Sequence, residues 1–364
     1  MSGIKRRDFI RLAGGMAATA GLLGFPQLVF GAARRVVVVG GGVGGCTAAK
    51  YLRKMDPAIE VTLVTDEKTY ISAFMSNEVL SGHRTLDSLT FGYDGLRKYG
   101  VEILIDRAVG IEPVKKRVQT AGGRQLGYDA CIVSPGVDFK WDQIEGYDEQ
   151  VSETITHAWY AGPQTLTLRR QIQAMPDGGT VIIVAPPNPF KCPPGPYERA
   201  SLIALYCKRH KPKAKILILD FKDAFAMQEL YFQGWTQLYG YGTDNSMIEW
   251  IPAAGGAEVE ELDAESLTLT CAVEDFEGDV INIIPAQKAG KIAYAADLVE
   301  DDWCPVDKKT FESSRHPGVY VLGDASEAAK MPKSAYAANS QAKVAAAAIV
   351  NRLNGREPGD ATYV

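Results

Sequence analysis

Cys192 is the residue in this sequence whose type and surroundings most suggest chemistry. It lies in the run Ala185-Pro186-Pro187-Asn188-Pro189-Phe190-Lys191-Cys192-Pro193-Pro194-Gly195-Pro196, a few residues before a stretch, Glu198 to Arg209, that reads as a helix. A helix N-terminus and the adjacent Lys191 both favour a thiolate, the nucleophilic form of cysteine. The prolines stiffen the loop, because each fixes its own φ. Glu198 follows six residues later. In an apolar, proline-walled pocket such a carboxyl can exchange a proton near neutral pH. As an exposed first-turn residue it would only complement the helix dipole, and the sequence leaves both readings standing.

A second chemistry-bearing run is Gly40-Gly41-Gly42-Val43-Gly44-Gly45, which matches G-x-G-x-x-G at Gly40, Gly42 and Gly45. It follows Val36–Val39, a β-branched run typical of a buried parallel strand, and precedes a helix, Cys46 to Lys54, and a second strand, Glu60 to Val64. In that setting the glycines allow a tight turn, close approach of backbone to a pyrophosphate and close helix–strand packing. The helix N-terminus then faces the phosphates. An acid about 20 residues on would bind the ribose hydroxyls. That distance from Gly45 reaches Thr65, with Asp66 next, so the expected acid is displaced by one residue or absent.

These sites need elements to hold them. Tyr128 to Val133 reads as a strand ending in the turn Ser134-Pro135-Gly136, and Val319 to Leu322 as a strand ending in Gly323-Asp324. Asp324 taken alone could be a helix N-cap. Thr180–Val184, the helix from Glu198 and Lys215–Asp220 repeat the strand–loop–helix–strand pattern. Its loop cannot cradle a pyrophosphate, because proline has no N–H to offer, so no NAD(P)H site is expected there. The fold class is α/β, with two Rossmann-like FAD/NAD(P)-binding domains, the second degenerate. The expected domains are 34–150 with 290–364, and an inserted 151–289. Aromatic residues crowd Phe221–Tyr241 and are expected mainly in the core.

Composition narrows the class. With 44 acidic against 39 basic residues the net charge is −5, and without the first 33 residues it is −8, which argues against a nucleic-acid partner. Six cysteines in 364 residues are too few for a disulfide framework. No metal-binding cluster stands out. Residues 1–33 carry Arg6-Arg7, an apolar Gly/Ala-rich run and small residues at Gly31-Ala32-Ala33, the pattern of a twin-arginine export signal. No stable membrane insertion is expected after its cleavage.

Lys191–Ala200, Trp303-Cys304-Pro305-Val306-Asp307, Ser76-Asn77-Glu78-Val79 and Met331-Pro332-Lys333-Ser334 together resemble the flavoprotein subunit of flavocytochrome c sulfide dehydrogenase. That family is related to the sulfide:quinone oxidoreductases and to the flavoproteins with two dinucleotide-binding domains. The resemblance implies a periplasmic protein that binds FAD and oxidises hydrosulfide to sulfur or polysulfide through a Cys–Cys pair. It also implies a c-type cytochrome partner that alone carries haem. Cys192 then corresponds to the cysteine attacked by sulfide, by thiol–disulfide exchange, and Glu198 to the acid/base near the pair. Asp324 would bond the ribityl chain, the Ser134-Pro135-Gly136 turn would lie by the flavin, and Lys333 would sit near its pyrimidine edge.

Two departures matter. Family members often bind FAD covalently through a cysteine just before the Ser-Asn-Glu stretch, where this sequence has Ala73, so noncovalent FAD is expected. The family's second redox cysteine lies beyond the helix expected at 334–351, whereas this sequence ends at Val364. Either the sequence is an incomplete gene product or it is a natural short form, and Cys304 is the one other cysteine held in reserve. A quinone acceptor, or a flavin subunit that only relays electrons, are the alternatives to a cytochrome-linked dehydrogenase.

Overall fold

A computed structural model describes residues 34–359; the expected export signal lies outside the described residues. Four strands come first: β1 (Arg35–Val39), β2 (Glu60–Thr65), β3 (Val101–Ile105) and β4 (Ala130–Val133). Four more follow, β5 (Thr180–Ala185), β6 (Lys215–Asp220), β7 (Ile248–Ile251) and β8 (Val280–Ile283), and then β9 (Val319–Val321). The first sheet has the order β9-β4-β1-β2-β3 and the second β7-β6-β5-β8, and every pairing in both is parallel. Strands covered on both faces must be apolar throughout. Val36–Val39 and Val181–Ala185 accordingly have every side chain buried.

The main helices are α1 (Val43–Met55), α2 (Asn77–Ser81), α3 (Pro163–Ala174), α4 (Gly195–His210), α5 (Gln228–Tyr239) and α6 (Ala335–Leu353). Ala48, Ala49 and Leu52 of α1 and Ala342, Ala345 and Ala346 of α6 are buried in one core cluster with the first sheet. The small side chains let the two helices approach closely. Two further clusters pack against the second sheet. The chain leaves the first sheet through Val137–Phe139 and comes back through Gln287–Ala289, and these two segments pair antiparallel.

Two helices begin earlier than the sequence suggests. α1 starts at Val43, inside the glycine motif, and α4 starts at Gly195 with Pro196 in its first turn. Proline is favoured there because the first-turn N–H groups have no intrahelical acceptor. The aromatic stretch packs inward: Trp235 and Tyr239 are buried, and Phe225, Tyr231 and Phe232 lie against the same cluster. Among the described residues no helix is long and apolar enough to cross a membrane.

Candidate functional site

The strand order of the first sheet turns about β1, so the crevice outside the carboxyl ends of β1 and β4 is where a ligand binds such a sheet. Most glycines of the Gly40–Gly45 run leave no room for a side chain. Gly40 has φ +110°, and a methyl built there would lie 2.2 Å from the Ser134 carbonyl oxygen. One on Gly45 would lie 2.0 Å from the Gly40 carbonyl oxygen, and one on Gly44 would lie 2.5 Å from Ser134 Oγ. Gly42 differs, with nothing within 4 Å of such a methyl. Gly42 is also the N-cap of α1 and provides no side-chain cap, so Val43 and its neighbours offer free first-turn N–H groups to an anion. Thr65 is buried beside Gly41, whereas Asp66 is exposed at the end of β2. Of the two, Asp66 is the one accessible to a ribose.

Gly323 and Asp324 follow β9. Asp324 is not a helix cap: it lies in the single turn Gly323–Ala325, and Ser334 caps α6 by accepting from Ala337 N at 3.1 Å. Asp324 Oδ1 is buried with no hydrogen-bond partner. Burial raises its carboxyl above the usual range, while the ammonium groups of Lys191 and Lys333 pull it back. Gln287 Nε2 and Trp159 Nε1 are orphaned as well. Orphaned buried polar atoms are costly and call for a polar occupant. Gly136, at φ +67°, faces open space, and its carbonyl accepts from Gly290 N at 3.1 Å. Ser134 and Pro135 hold this turn against Gly40 and Gly290 respectively. A bare helix terminus, an open glycine backbone and an unpartnered carboxyl fit a dinucleotide with a polyhydroxyl chain.

The second sheet sends its proline-rich loop to the same place. Cys192 N donates to the Lys333 carbonyl at 2.7 Å, and Lys191 N donates to Gln287 Oε1 at 2.8 Å. Lys191 Nζ donates to the Trp159 carbonyl at 2.9 Å. Lys333 Nζ donates to the carbonyls of Asp324 (2.7 Å) and Ser326 (3.2 Å) and lies 3.5 Å from the Trp303 ring centroid. Burial pulls Lys333 down to about 8. Cys192 is therefore joined to the Lys333 backbone, and the Lys333 side chain to the Asp324 backbone.

The thiolate expectation for Cys192 is corrected. Burial pushes its thiol up, the Glu198 charge adds to that, and Lys191 only partly offsets them. Desolvation outweighs the nearby cation. All six cysteines are free thiols. Cys304 is wholly buried and pushed up to about 12, which fits a core residue rather than a redox partner.

Glu198, in the first turn of α4, is half-buried rather than exposed, and its Oε2 accepts from Asn77 Nδ2 at 2.7 Å. Asn77 Oδ1 accepts from Arg199 Nε at 3.1 Å. Arg199 also donates to the carbonyls of His157 (2.8 Å) and Ala158 (2.7 Å) and to Asn282 Oδ1 (2.7 Å). Burial pulls its guanidinium down to about 10. His157 is pulled down to about 3, chiefly by burial and then by Arg199 and Lys191, so it stays neutral. Sequence reasoning did not single out Asn77, Arg199 or His157 as site residues. The only signal for the first two was their place in the Ser76–Val79 and Lys191–Ala200 stretches.

Comparison with known proteins bears on the family and the fold. Residues 165–285 match the family described as sulfide dehydrogenase (flavocytochrome c) flavoprotein chain, central, and residues 34–168 match pyridine nucleotide-disulphide oxidoreductase. The chain is 56% identical over 46 residues to the sulfide dehydrogenase (flavocytochrome c) flavoprotein chain of Chlorobaculum thiosulfatiphilum, spanning 13% of this chain and 96% of that one. It is 23% identical over 300 residues to the mitochondrial sulfide:quinone oxidoreductase of Mus musculus, 79% of this chain but only 65% of that protein's length. The crystal structure of the sulfide:quinone oxidoreductase from Aquifex aeolicus superposes with a TM-score of 0.72 at 19% identity, covering 89% of this chain and 78% of that one, which shows the shared fold. The chain thus belongs to the flavoprotein-chain family of flavocytochrome c sulfide dehydrogenase, within the wider group of sulfide:quinone oxidoreductase-like flavoproteins.

Proposed function

We propose that this protein binds FAD noncovalently and oxidises hydrosulfide at Cys192, passing the electrons to a c-type cytochrome subunit that holds the haem. The observation that carries the reading is the hydrogen bond from Cys192 N to the Lys333 carbonyl, which ties the thiol loop to the segment beside Asp324. Gly40, Gly42, Val43, Gly44 and Gly45 would take the pyrophosphate, Asp66 beside Thr65 the ribose, and Asp324 the ribityl chain. Ser134, Pro135, Gly136 and Lys333 would flank the flavin. When bound, FAD supplies a two-electron acceptor. Ala73, where family members often have a cysteine, supports noncovalent binding.

In the proposed reaction Cys192 would first be oxidised to a disulfide with a second thiol, its two electrons going to the two-electron acceptor; hydrosulfide would then form an S–S bond to the Cys192 sulfur as that disulfide bond breaks. The leaving sulfur keeps the electron pair, and Glu198 takes the proton of the new S–S–H group.

The Arg6-Arg7 segment supports export to the periplasm by the twin-arginine route. The mouse and Aquifex similarities support a quinone as the alternative acceptor. A relay subunit is favoured instead if Cys192 lacks a partner, since all six cysteines are free. The test is anaerobic addition of sodium sulfide to the FAD-loaded chain while following the long-wavelength flavin band. Bleaching is expected, followed by reoxidation with cytochrome c but not with a soluble quinone. Absence of bleaching with FAD still bound would favour the relay.

A further inference from the structure

We infer that Asn77, held by Arg199, is a positioning residue that keeps the Glu198 carboxyl in its proton-accepting form; this rests on the role proposed above for Glu198. The argument is one of donors and acceptors. Asn77 stands between a carboxyl oxygen at 2.7 Å from Nδ2 and a guanidinium nitrogen at 3.1 Å from Oδ1. Arginine can only donate, so the side of Asn77 facing Arg199 must be its carbonyl. The side facing Glu198 must then be the amide, which can only donate. A protonated Glu198 could keep this bond only by carrying its proton on the other oxygen, and the bond is weaker to a neutral acid than to an ion, so the amide donor favours the ionised form. The amide cannot turn over to suit the protonated form, because its NH2 would then face Arg199.

Arg199 cannot turn away either. It is only 2% exposed, and it also donates to the His157 and Ala158 carbonyls and to Asn282. Asn282 is itself held, donating to the Thr156 and His157 carbonyls. The chain of contacts therefore runs from β8 through Arg199 and Asn77 to Glu198. Such a network has one orientation when all members are satisfied. The other groups facing Glu198 are Cys192 in the loop before α4 and Tyr231 from α5, each raised in part by the Glu198 charge. From α2, Glu78 is engaged with Arg84 at 2.7 Å. None of these supplies a second hydrogen bond to the Glu198 carboxyl.

The test is the pH profile, from about pH 5.5 to 9, of sulfide-driven flavin bleaching in the FAD-loaded chain, with Asn77→Asp, Asn77→Ser and Glu198→Gln beside the unaltered protein. In Asn77→Asp the new carboxyl would still accept from Arg199 but would face Glu198 with a second acceptor, and two such carboxyls can only share a proton. The acid limb of the profile should then move up by about one pH unit or more, while rates above its midpoint stay within about threefold. Asn77→Ser should move the limb in the same direction by less, and serves if Asn77→Asp does not hold FAD. Glu198→Gln should flatten that limb. If the Asn77 variants superpose on the unaltered profile while Glu198→Gln flattens it, the positioning role is wrong and the Glu198 assignment stands. If Glu198→Gln keeps the limb, the Glu198 assignment is wrong and this inference falls with it.

Discussion

Two loops hold corresponding places in the two parallel sheets and have opposite chemistry. Gly40–Gly45 connects β1 to α1, and Pro186–Pro196 connects β5 to α4. The first leaves a helix terminus without a capping side chain and a backbone, at Gly42, facing open space. The second is braced by side chains. Tyr197 stacks on Phe225 at 3.6 Å between ring centroids, and its hydroxyl donates to Asp220 at 2.5 Å. The acid at the end of the second strand follows suit. Asp66 is exposed in the first sheet, while Asp220 in the second is buried and also accepts from Trp250 Nε1 at 2.9 Å and Lys222 Nζ at 2.5 Å. A phosphate cradle needs N–H groups aimed at a void. Proline removes the N–H, and the cavity that remains beside the loop is lined by Phe190, Phe225 and Lys222, so one architecture presents a cofactor site in one sheet and a stiff thiol loop in the other.

Breaking the thiol loop should have the largest effect. Cys192→Ser should slow sulfide-driven bleaching by about a thousandfold or more in stopped-flow absorbance, as loss of the sulfur that forms the covalent bond does, with FAD content unchanged. Bleaching at the unaltered rate would mean that the proline loop is not the reacting one.

Next comes the unpartnered carboxyl on the cofactor side. Asp324→Ala should weaken FAD binding by about tenfold to a hundredfold in a fluorescence titration, the worth of hydrogen bonds to a charged group. Asp324→Asn separates cofactor binding from the cost of burial. Because Asp324 is raised in the folded state, the native protein without FAD binds more protons than the unfolded chain. The carboxyl's contribution is therefore intact below its unfolded value and lost as pH rises through its folded one. The melting temperature of the FAD-free Asp324→Asn variant should thus gain on the unaltered protein as pH rises from about 4. Parallel melting curves across that range would remove the argument.

The comparison between the loops is sharpened by two glycine substitutions. Gly42→Ala adds a methyl into open space, so the FAD-free fold should melt unchanged while FAD affinity drops by about tenfold or more, since the backbone can no longer approach a pyrophosphate. Gly195→Ala should do the reverse. Its methyl would lie 2.5 Å from the Trp159 ring and 3.3 Å from Cys192 Sγ. Bleaching should slow by about tenfold, as misplaced reacting groups do, with FAD retained. If both variants lose FAD equally, the division of labour between the loops is wrong.

The smallest effect is expected beside the proline loop. Tyr197→Phe removes one of the donors to Asp220 and should cost about 1–2 kcal/mol in urea unfolding. NADH should still fail to bleach the flavin, because Trp250 and Lys222 continue to hold Asp220. A variant that did become reducible by NADH would show that the tyrosine alone closed the site.

Much of the frame was readable along the chain. Val36–Val39 and the glycines after them specify a buried strand and a turn locally, through backbone freedom and side-chain branching. The proline loop declared its unsuitability for phosphate in the same way, and the inward packing of Phe225 and Trp235 followed from hydrophobicity. Less legible were positions whose meaning depends on a distant neighbour. Lys191 beside Cys192 suggested a thiolate, but the pocket closed by Trp159, Gly195 and Glu198 withholds water and reverses the sign. Asp324 could be read as a cap until its lone, buried oxygen was seen. Asn77 and Arg199 are 122 positions apart in the chain and meet through one hydrogen bond.

The amino-acid sequence by itself determined which segments are strands, which loop can accept a pyrophosphate and which cannot, and which thiol stands in a rigid loop, because these follow from properties of a few adjacent residues. Only the tertiary structure decided the charge environment of Cys192, the unmet hydrogen-bonding demand of Asp324 and the hold of Arg199 and Asn77 on Glu198. Desolvation and hydrogen-bond matching are set by which groups the fold brings within about 3 Å of one another, and that is a property of packing rather than of chain order.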